Sequence, residues 1–479
     1  MLPEISVLKR RLFWPPLLYS QVCYPSRLWY FGFIRCKIKI DYKWGEGKKR
    51  GCEMGRAYDG HRRGSRKKKL LGLMGAVCIL LGGLLIAGVL YRNSVSVQPV
   101  GTYSRSSGSG VPAETSSRPE NAVASTFSEV SSSQLAKEAA DIFSQYRGKA
   151  AEILTDMTLQ EKVGQIFVFL CPTEGGQEMI KTYSPGGICL NAGNFQNKTK
   201  SQVAQMMAEY QSASKIPLLT CCDEEGGTVT RISRFPVLRP LPFQSPRQVY
   251  ASGGMEAIRS DTAEKAQLLK SLGINTNLAP VADLSGNQKD FIYDRSFGDD
   301  PASVSEFVRV SVDTYSENGM ACVLKHFPGY GNNGDTHMGL TWDKRPYSEF
   351  QTRDFLPFQA GFEAGAPIVL VNHNIVECMD PERPATLSAE VHRVLREELG
   401  FGGLIMTDDL EMEAIPQYTA GENPAPQAFL AGNDLLLCSE PGDSFRALLK
   451  AVEAGEIAEE QLDVSVLRIL EWKCSMGLL

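Results

Sequence analysis

An aspartate and an aspartate-histidine pair stand where nucleophilic and acid-base chemistry could be done. Asp408 ends the apolar run 403–408, so a strand would hold its carboxylate rigidly, although it or Asp409 could instead cap a following helix. Asp335 and His337 lie two residues apart in a loop rich in Gly and Asn. Unless both are incidental surface groups, the aspartate can hold one imidazole nitrogen and leave the other to transfer a proton. The sequence therefore offers a candidate nucleophile and a candidate proton donor.

Further charged side chains follow the ends of other apolar runs. Lys325 and His326 end one of these runs, and they could either contact a substrate or merely pair with neighbouring carboxylates. His392 lies among Glu and Arg residues in a helical pattern, so we expect it to be solvated and assign it no role. The remaining polar residues at run ends are Asp223, Glu224, Glu225, Asp283, His373 and Asp409.

The elements that must position these residues are eight short apolar runs, which alternate with amphipathic stretches. Continuous apolar strands alternating with helices indicate a parallel sheet covered on both faces, and eight such units predict an α/β fold, the (β/α)8 TIM barrel. A doubly wound open sheet is the alternative, but no G-x-G-x-x-G turn follows any run. In a barrel, the chemistry lies at the carboxyl ends of the strands. The predicted strands are 164–170, 186–190, 216–222, 274–280, 320–325, 367–373, 403–408 and 434–438, and the predicted helices include 199–214, 255–272, 303–318, 350–364, 388–399 and 442–454.

Metal and redox motifs are missing from the sequence. The chain has 12 Cys and 5 His, but no C-x-x-C pair and no zinc-finger spacing, so we expect no metal and no cofactor. Cys222, Cys322 and Cys438 lie inside apolar runs, which predicts buried free thiols. A barrel mouth with carboxylates and cationic donors suits hydrolysis of polyhydroxylated substrates. Glycoside cleavage is the first reaction to consider, because it needs one carboxylate at the anomeric carbon and a second group to protonate the leaving oxygen.

Charge is distributed unevenly over the 479 residues. Residues 1–69 contain 18 of the 50 Lys and Arg residues but 5 of the 55 Asp and Glu residues, which leaves 32 basic and 50 acidic residues for the rest. A main domain this acidic would repel nucleic acid, so we exclude a nucleic-acid partner.

An uncharged apolar run covers residues 70–91 and follows a basic cluster that ends at Lys69. Its 22 residues suffice to cross a bilayer, and the positive-inside rule places the preceding segment in the cytoplasm and the following chain outside. A cleaved signal peptide is the alternative, but no clean small-x-small site follows. We therefore expect a single-pass anchor in the cell membrane.

The sequence divides into four segments on this interpretation. Residues 1–69 form a basic cytoplasmic segment, of which 1–53 show no structural pattern, so that translation could begin at Met54. Beyond the membrane helix, residues 92–135 are rich in Ser and Gly and predict a flexible linker. Residues 136–479 are expected to form one extracellular catalytic domain.

Five segments of the predicted barrel, taken together, resemble the β-N-acetylglucosaminidase branch of glycoside hydrolase family 3. They occur in the family's order and span about residues 150–440. The segments are Asp223-Glu-Glu-Gly-Gly227 with Arg231, Asp294-Arg-Ser-Phe297, Lys325-His-Phe-Pro-Gly329 followed by Asp335-Thr-His337, Ala385-Thr-Leu-Ser388, and Met406-Thr-Asp-Asp-Leu-Glu-Met412.

The resemblance implies a single-domain barrel that removes terminal β-linked N-acetylglucosamine with retention, through a covalent glycosyl-enzyme. It implies that Asp408 is the nucleophile and that His337, oriented by Asp335, is the general acid and base. It also implies a set of residues that hold the sugar, namely Asp223, Arg231, Arg295, Lys325 and His326.

Four residues depart from the family's usual pattern. Tyr330 stands where the family often has His, and Thr336 replaces Ser between the aspartate and the histidine. Glu224 and Thr228 replace the more usual His or Gln and Arg. We expect Tyr330, Glu224 and Thr228 to alter the pocket rim and the aglycone preference rather than the chemistry, and we expect Thr336 to be tolerated.

The sequence thus favours a membrane-anchored, monomeric exo-β-N-acetylglucosaminidase that acts on peptidoglycan fragments such as muropeptides or on related glycans. A β-N-acetylglucosaminide phosphorylase or a β-glucosidase of the same family is the alternative, and phosphate dependence would separate hydrolysis from phosphorolysis. An inactive carbohydrate-binding barrel is a third interpretation, against which the presence of Asp335, His337 and Asp408 argues.

Overall fold

The computed structural model describes residues 141–479. The basic segment, the membrane helix at 70–91 and the linker at 92–135 that the sequence predicts lie outside the described residues. None of the helices between residues 141 and 479 combines the length and the hydropathy needed to cross a bilayer.

The eight apolar runs form one parallel sheet that curls into a barrel. The strands, numbered along the chain, are β1 (Phe167–Leu170), β2 (Gly187–Cys189), β3 (Leu219–Cys222), β4 (Thr276–Asn277), β5 (Ala321–Phe327), β6 (Trp342–Asp343), β7 (Ile368–Val371), β8 (Ile375–Val376), β9 (Leu404–Thr407) and β10 (Leu436–Cys438). Strands β6 and β8 form a separate two-stranded sheet. The order of the other eight is β10-β1-β2-β3-β4-β5-β7-β9, and an isolated parallel bridge between Met406 and Leu435 joins the two outer strands of that order. The (β/α)8 prediction is therefore confirmed, and the open-sheet alternative is wrong.

The strands lack an alternating pattern because both of their faces are covered. All seven residues of β5 and all four of β7 and of β9 are buried. Side chains on one face fill the barrel interior, and those on the other pack against the surrounding helices. The predicted free thiols are confirmed, since Cys222, Cys322 and Cys438 are buried and unpaired.

Helices connect consecutive strands and form the outer layer. Several begin at side-chain caps: Thr199 and Gln202 form a capping box at the helix Lys200–Ala213, and Asp300 accepts from Ser303 N at the start of the helix Pro301–Glu317. The α-helices are α1 (Arg147–Thr155), α2 (Leu159–Gln165), α3 (Gly176–Tyr183), α4 (Ala192–Phe195), α5 (Lys200–Ala213), α6 (Pro246–Ser271), α7 (Pro301–Glu317), α8 (Tyr347–Glu349), α9 (Phe355–Glu363), α10 (Ala389–Arg393), α11 (Ala414–Thr419), α12 (Ala425–Ala431), α13 (Pro441–Glu453) and α14 (Glu459–Ser475), with π-helical turns at Phe350–Asp354 and Val394–Glu398 and 3-10 turns at Ser144–Tyr146 and Ala385–Leu387.

Helix α6 begins nine residues before the predicted start at residue 255. Gly253 and Gly254 have non-helical backbone angles and kink the helix. Because two adjacent glycines interrupt a helical pattern, only the part after the kink was recognisable in the sequence.

His392 is buried, so the prediction that it is solvated is wrong. Its Nδ1 lies 2.7 Å from the carbonyl oxygen of Ser388, one turn earlier in the chain. Its ring also packs against Gly432, where an added Cβ would lie 3.2 Å from the His392 Cβ. The charged neighbours of His392 in sequence face other directions around helix α10.

Candidate active site

One cavity of about 560 Å³ opens at the carboxyl ends of the strands, where the fold predicts chemistry. Its size falls within the range of small-ligand pockets. The eight residues predicted from the sequence all line it: Asp223, Arg231, Arg295, Lys325, His326, Asp335, His337 and Asp408.

Lys325 lies at the base of the cavity and contacts two acidic residues, of which Asp223 lines the cavity. The Lys325 Nζ lies 2.7 Å from Asp223 Oδ1 and 2.6 Å from Glu225 Oε1. Arg231 adds a 3.0 Å contact to the other oxygen of Asp223. Burial opposes ionisation of Asp223, but Lys325 and Arg231 outweigh it and hold the pKa of that carboxyl below its usual range. Asp223 is therefore a carboxylate that can accept hydrogen bonds from hydroxyl groups.

Glu225 and Arg295 form a bidentate ion pair beside this lysine. Arg295 Nε donates to Oε2 at 2.9 Å, and Nη2 donates to Oε1 at 2.8 Å. Burial opposes ionisation of Glu225, but Arg295 and Lys325 hold its pKa well below the usual range. Glu225 thus neutralises two buried cations and fixes where they point.

His326 joins Arg295 to Asp283. Its Nε2 lies 3.0 Å from Arg295 Nη2, and its Nδ1 lies 2.7 Å from Asp283 Oδ2. Because a guanidinium can only donate, Nε2 accepts and Nδ1 carries the ring proton. The charged groups at the base of the cavity therefore form one continuous hydrogen-bonded network from Asp283 through Lys325 to Arg231.

Asp335 and His337 form the pair expected from their spacing. His337 Nδ1 lies 2.7 Å from Asp335 Oδ1, and the same oxygen accepts from the His337 backbone N–H at 2.9 Å. His337 is 58% exposed, in contrast to the buried His326. The Asp335 contact leaves Nε2 of His337 as the ring nitrogen available for proton transfer.

The loop that carries this pair is tied down at several points. Strand β6 pairs with β8 just beyond the loop, and Arg345 binds both Asp343 and Asp354. Asn333 Nδ2 donates to Tyr330 O at 2.9 Å and to Asp343 Oδ2 at 2.7 Å. The loop is thus held in a defined shape although its tip is exposed.

Asp408 directly follows strand β9. Its backbone N–H donates to Val371 O at 3.1 Å, and its Oδ1 accepts from the backbone N–H of Asp409 at 2.9 Å. Its Oδ2 accepts no hydrogen bond from residues 141–479. The strand thus directs one free carboxylate oxygen into the cavity. The alternative, that Asp408 or Asp409 caps a helix starting near Leu410, is wrong, because α11 begins only at Ala414.

Buried groups hold the segment that follows Asp408. His373 Nε2 donates to the backbone carbonyl of Asp409 at 3.0 Å, and burial lowers the pKa of this histidine. Burial and the neighbouring Asp409 raise the pKa of Glu411 to about 8. Ser439 N donates to Glu411 Oε2 at 2.7 Å, while the Ser439 hydroxyl bonds to Asp409. Glu411 therefore keeps its proton near neutral pH.

The sequence identified Glu225, Asp283 and His373 as strand-end residues but gave them no role. Their roles depend on partners that are distant along the chain, as Arg295 is from Glu225. Phe291, which lines the cavity and whose ring centroid is 6.5 Å from that of His337, gave no signal in the sequence.

Glu224 does not lie at the pocket rim, contrary to expectation. It is fully buried and accepts backbone N–H bonds from Arg231 at 2.9 Å and Ile232 at 2.7 Å. It shapes the turn that presents Arg231, whereas Thr228 does line the cavity. Within residues 141–479, no cluster of His, Cys, Asp and Glu side chains has the arrangement of a metal site.

Comparison with known proteins decides the family. A profile described as "Glycosyl hydrolase family 3 N terminal domain" matches residues 158–472. The chain belongs to glycoside hydrolase family 3. The resemblance inferred from the sequence motifs is thereby confirmed, and the protein is a glycoside hydrolase.

Curated relatives of this family 3 hydrolase carry the name beta-hexosaminidase. One from Xanthomonas euvesicatoria pv. vesicatoria is 37% identical over 241 residues, which cover 49% of this chain and 70% of the relative. Another from Nitrosomonas eutropha is 33% identical over 274 residues, covering 56% and 77%.

Solved structures show the same family and fold. The family 3 β-N-acetylglucosaminidase from Paenibacillus sp. str. FPU-7 is 31% identical with a TM-score of 0.62, and the match covers 67% of this chain and 63% of that protein. A family 3 glycosyl hydrolase from Mycobacterium smegmatis is 26% identical with a TM-score of 0.59, covering 66% and 97%.

Proposed function

We propose that this family 3 hydrolase is a retaining exo-β-N-acetylglucosaminidase. The observation that carries the proposal is that Asp408 and the Asp335–His337 pair line one cavity whose base is a fixed network of charged groups. The names of the relatives support N-acetylglucosamine as the sugar.

The chemistry proceeds in two displacements. Asp408 Oδ2 attacks the anomeric carbon while doubly protonated His337 gives its Nε2 proton to the glycosidic oxygen, so that the aglycone leaves as an alcohol. A water molecule then attacks the covalent glycosyl-enzyme, gives its proton to His337 Nε2 and releases Asp408. Proton transfer of this kind contributes about 10²–10⁴-fold to the rate. Two displacements at one carbon retain the β configuration.

The charged network binds the sugar on this proposal. Asp223 accepts hydrogen bonds from hydroxyl groups, while Lys325, Arg231 and Arg295 donate them, with His326 completing the wall beside Arg295.

Hydrolysis is favoured over phosphorolysis because the cavity's cations already have anionic partners. Lys325 and Arg231 contact Asp223, and Arg295 contacts Glu225. Phosphate would have to displace one of these carboxylates or bind beside them.

We propose peptidoglycan fragments or related glycans as the natural substrate class and the outer side of the cell membrane as the location. The support is the apolar run at 70–91 with its basic flank and the Ser-rich segment that follows it. We expect the enzyme to act as a monomer.

The full chain should be assayed with aryl β-N-acetylglucosaminide and aryl β-glucoside, each with and without phosphate. Rapid release from the acetamido sugar alone, independent of phosphate, is the expected result. A phosphate-dependent rate with a sugar phosphate product would instead establish a phosphorylase. Preference for the glucoside would establish a β-glucosidase, and release from neither substrate would favour a carbohydrate-binding barrel.

A further inference from the structure

Two departures from the family pattern, Tyr330 and Thr336, contact each other in the folded chain. Tyr330 Oη and Thr336 Oγ1 are 2.6 Å apart, and the two residues are 1% and 0% exposed. At this distance the hydroxyls share a hydrogen bond, and breaking it would leave a buried polar group without a partner. The bond holds Thr336, which lies between Asp335 and His337 in the loop.

Tyr330 is rigidly attached to the end of strand β5. Its backbone N–H donates to Asp283 Oδ1 at 2.7 Å, and the other oxygen of that carboxylate holds His326. Its ring lies edge-on to Phe291 and to His326, with centroid distances of 5.4 and 5.1 Å. These contacts therefore fix the position of the phenol hydroxyl in the wall of the cavity.

Thr336 is buried although it lies at the tip of an exposed loop. It is fully buried, whereas the side chains of Asp335 and His337 on either side are 28% and 58% exposed. Its backbone carbonyl accepts from Ala414 N at 3.2 Å, which ties the loop to the segment that follows Asp408. With Thr336 turned inward, both neighbouring side chains line the cavity.

We propose that Tyr330 is a positioning residue, whose hydrogen bond to Thr336 fixes the orientation of the Asp335–His337 pair toward the glycosidic oxygen. This inference rests on the proposed function, because it presumes that His337 delivers the proton. Burial raises the pKa of Tyr330, so the phenol stays protonated across the working pH range.

The test compares a substrate that needs protonation of its leaving group with one that does not. Phenyl and 4-nitrophenyl N-acetyl-β-glucosaminides serve as probes of the full chain, with Tyr330→Phe, Thr336→Val, the double variant and Thr336→Ser. We expect Tyr330→Phe and Thr336→Val each to lose about 10-fold more kcat/KM on the phenyl substrate than on the nitrophenyl substrate. The double variant should be no worse than either single variant, because one bond is lost in all three. Thr336→Ser retains the hydroxyl. It should therefore retain the wild-type ratio of kcat/KM on the phenyl substrate to kcat/KM on the nitrophenyl substrate.

Tyr315→Phe is the matched control. Tyr315 is also buried, and its hydroxyl accepts from Asn277 Nδ2 at 2.7 Å, but it does not line the cavity. We expect this variant to lower the melting temperature and leave the substrate ratio unchanged.

The outcomes separate this inference from the function on which it rests. If His337→Ala lowers the phenyl to nitrophenyl ratio and neither Tyr330→Phe nor Thr336→Val does, Tyr330 has no positioning role. If His337→Ala leaves the ratio unchanged, the assigned proton donor is wrong and the positioning role falls with it. Thr336→Val tests the same bond from its other end should Tyr330→Phe not fold.

Discussion

Glu225 holds both cations at the base of the cavity: Arg295 contacts both of its carboxylate oxygens, at 2.8 and 2.9 Å, and Lys325 Nζ contacts one of them at 2.6 Å. The side chain of Glu225 is 2% exposed, so its charge is screened little by water. Glu225 follows β3, Arg295 lies in the long connection after β4 and Lys325 lies in β5, so their pairing ties together the walls around β3 and β5.

Replacing Glu225 by Gln should destabilise the fold. Two buried cations would lose their common partner, and breaking such a pair costs about 3–5 kcal/mol. Denaturant unfolding at pH 7 measures this loss. Glu264→Gln is the control, because Glu264 pairs with Arg239 at the surface, where a salt bridge contributes about 0–1 kcal/mol.

The same variant should also respond less to acid. The pKa of Glu225 is lowered in the folded chain, so its contribution to stability is present above its ordinary pKa of 4.5 and is lost as the pH falls below that value. Glu225→Gln should therefore show a smaller loss of stability below about pH 4.5 than the wild type. Equal acid sensitivity of the two proteins would contradict the ion pair's role.

Asp408→Ala should lose at least about 10³-fold in turnover, because it removes the carboxylate that is proposed to form the covalent intermediate. Added azide should restore release of 4-nitrophenol by attacking from the vacated face, with an α-glycosyl azide as product. The product's configuration, measured by NMR, identifies the nucleophile. Asp409→Asn is the comparison, and formation of the α-azide by that variant instead would move the role to Asp409.

His337→Ala should retain most of its first-step rate on substrates with good leaving groups and lose about 10²–10⁴-fold on poor ones. Azide should here give the β-glycosyl azide, since the covalent intermediate still forms at Asp408. Asp335→Asn should show the same pattern to a smaller degree. Met338→Ala, which changes an 80% exposed neighbour in the same loop, is the control and should match the wild type. Equal losses on good and poor leaving groups would exclude His337 as the acid.

Glu411 should make the fold less stable as the pH rises. Its pKa in the folded chain is about 8, above the ordinary value of 4.5, so the folded state keeps a proton that the unfolded state releases. The stability from this proton is complete below about pH 4.5 and is lost as the pH rises through about 8. Glu411→Gln should therefore gain melting temperature over the wild type at pH 9 relative to pH 5. The exposed Glu460→Gln should show no such difference, and a constant offset between Glu411→Gln and wild type would contradict the retained proton on Glu411.

The barrel was predictable because a strand that is buried on both faces has a continuous run of apolar residues in the sequence. Each strand such as β5 or β7 is a continuous apolar run, and its end is marked by polar residues such as Lys325. The eight site residues came from family motifs joined to this rule. Their partners could not be read in the same way, since Arg295 meets Glu225 across 70 positions of sequence and only the closed barrel brings them together.

Two errors show the limit of local patterns. His392 has charged neighbours in sequence, yet the ring faces the core because helix α10 packs against the backbone at Gly432. Glu224 stands in a row of acidic residues, but its oxygens are used by the backbone of the turn at Arg231 and Ile232. In both cases tertiary packing decided between faces that the sequence pattern left equivalent.

The first and last helices of the described barrel meet, since α1 packs on α14 and Arg147 contacts Glu471 at 2.8 Å. A short peptide could therefore join the two ends of the barrel, and new termini could be opened in an exposed loop between other strands. Such circular permutants would keep the eight-strand register and the cavity while changing which strands are synthesised first. Comparing their folding and activity would show how the order of synthesis affects folding when the geometry of the folded site is unchanged.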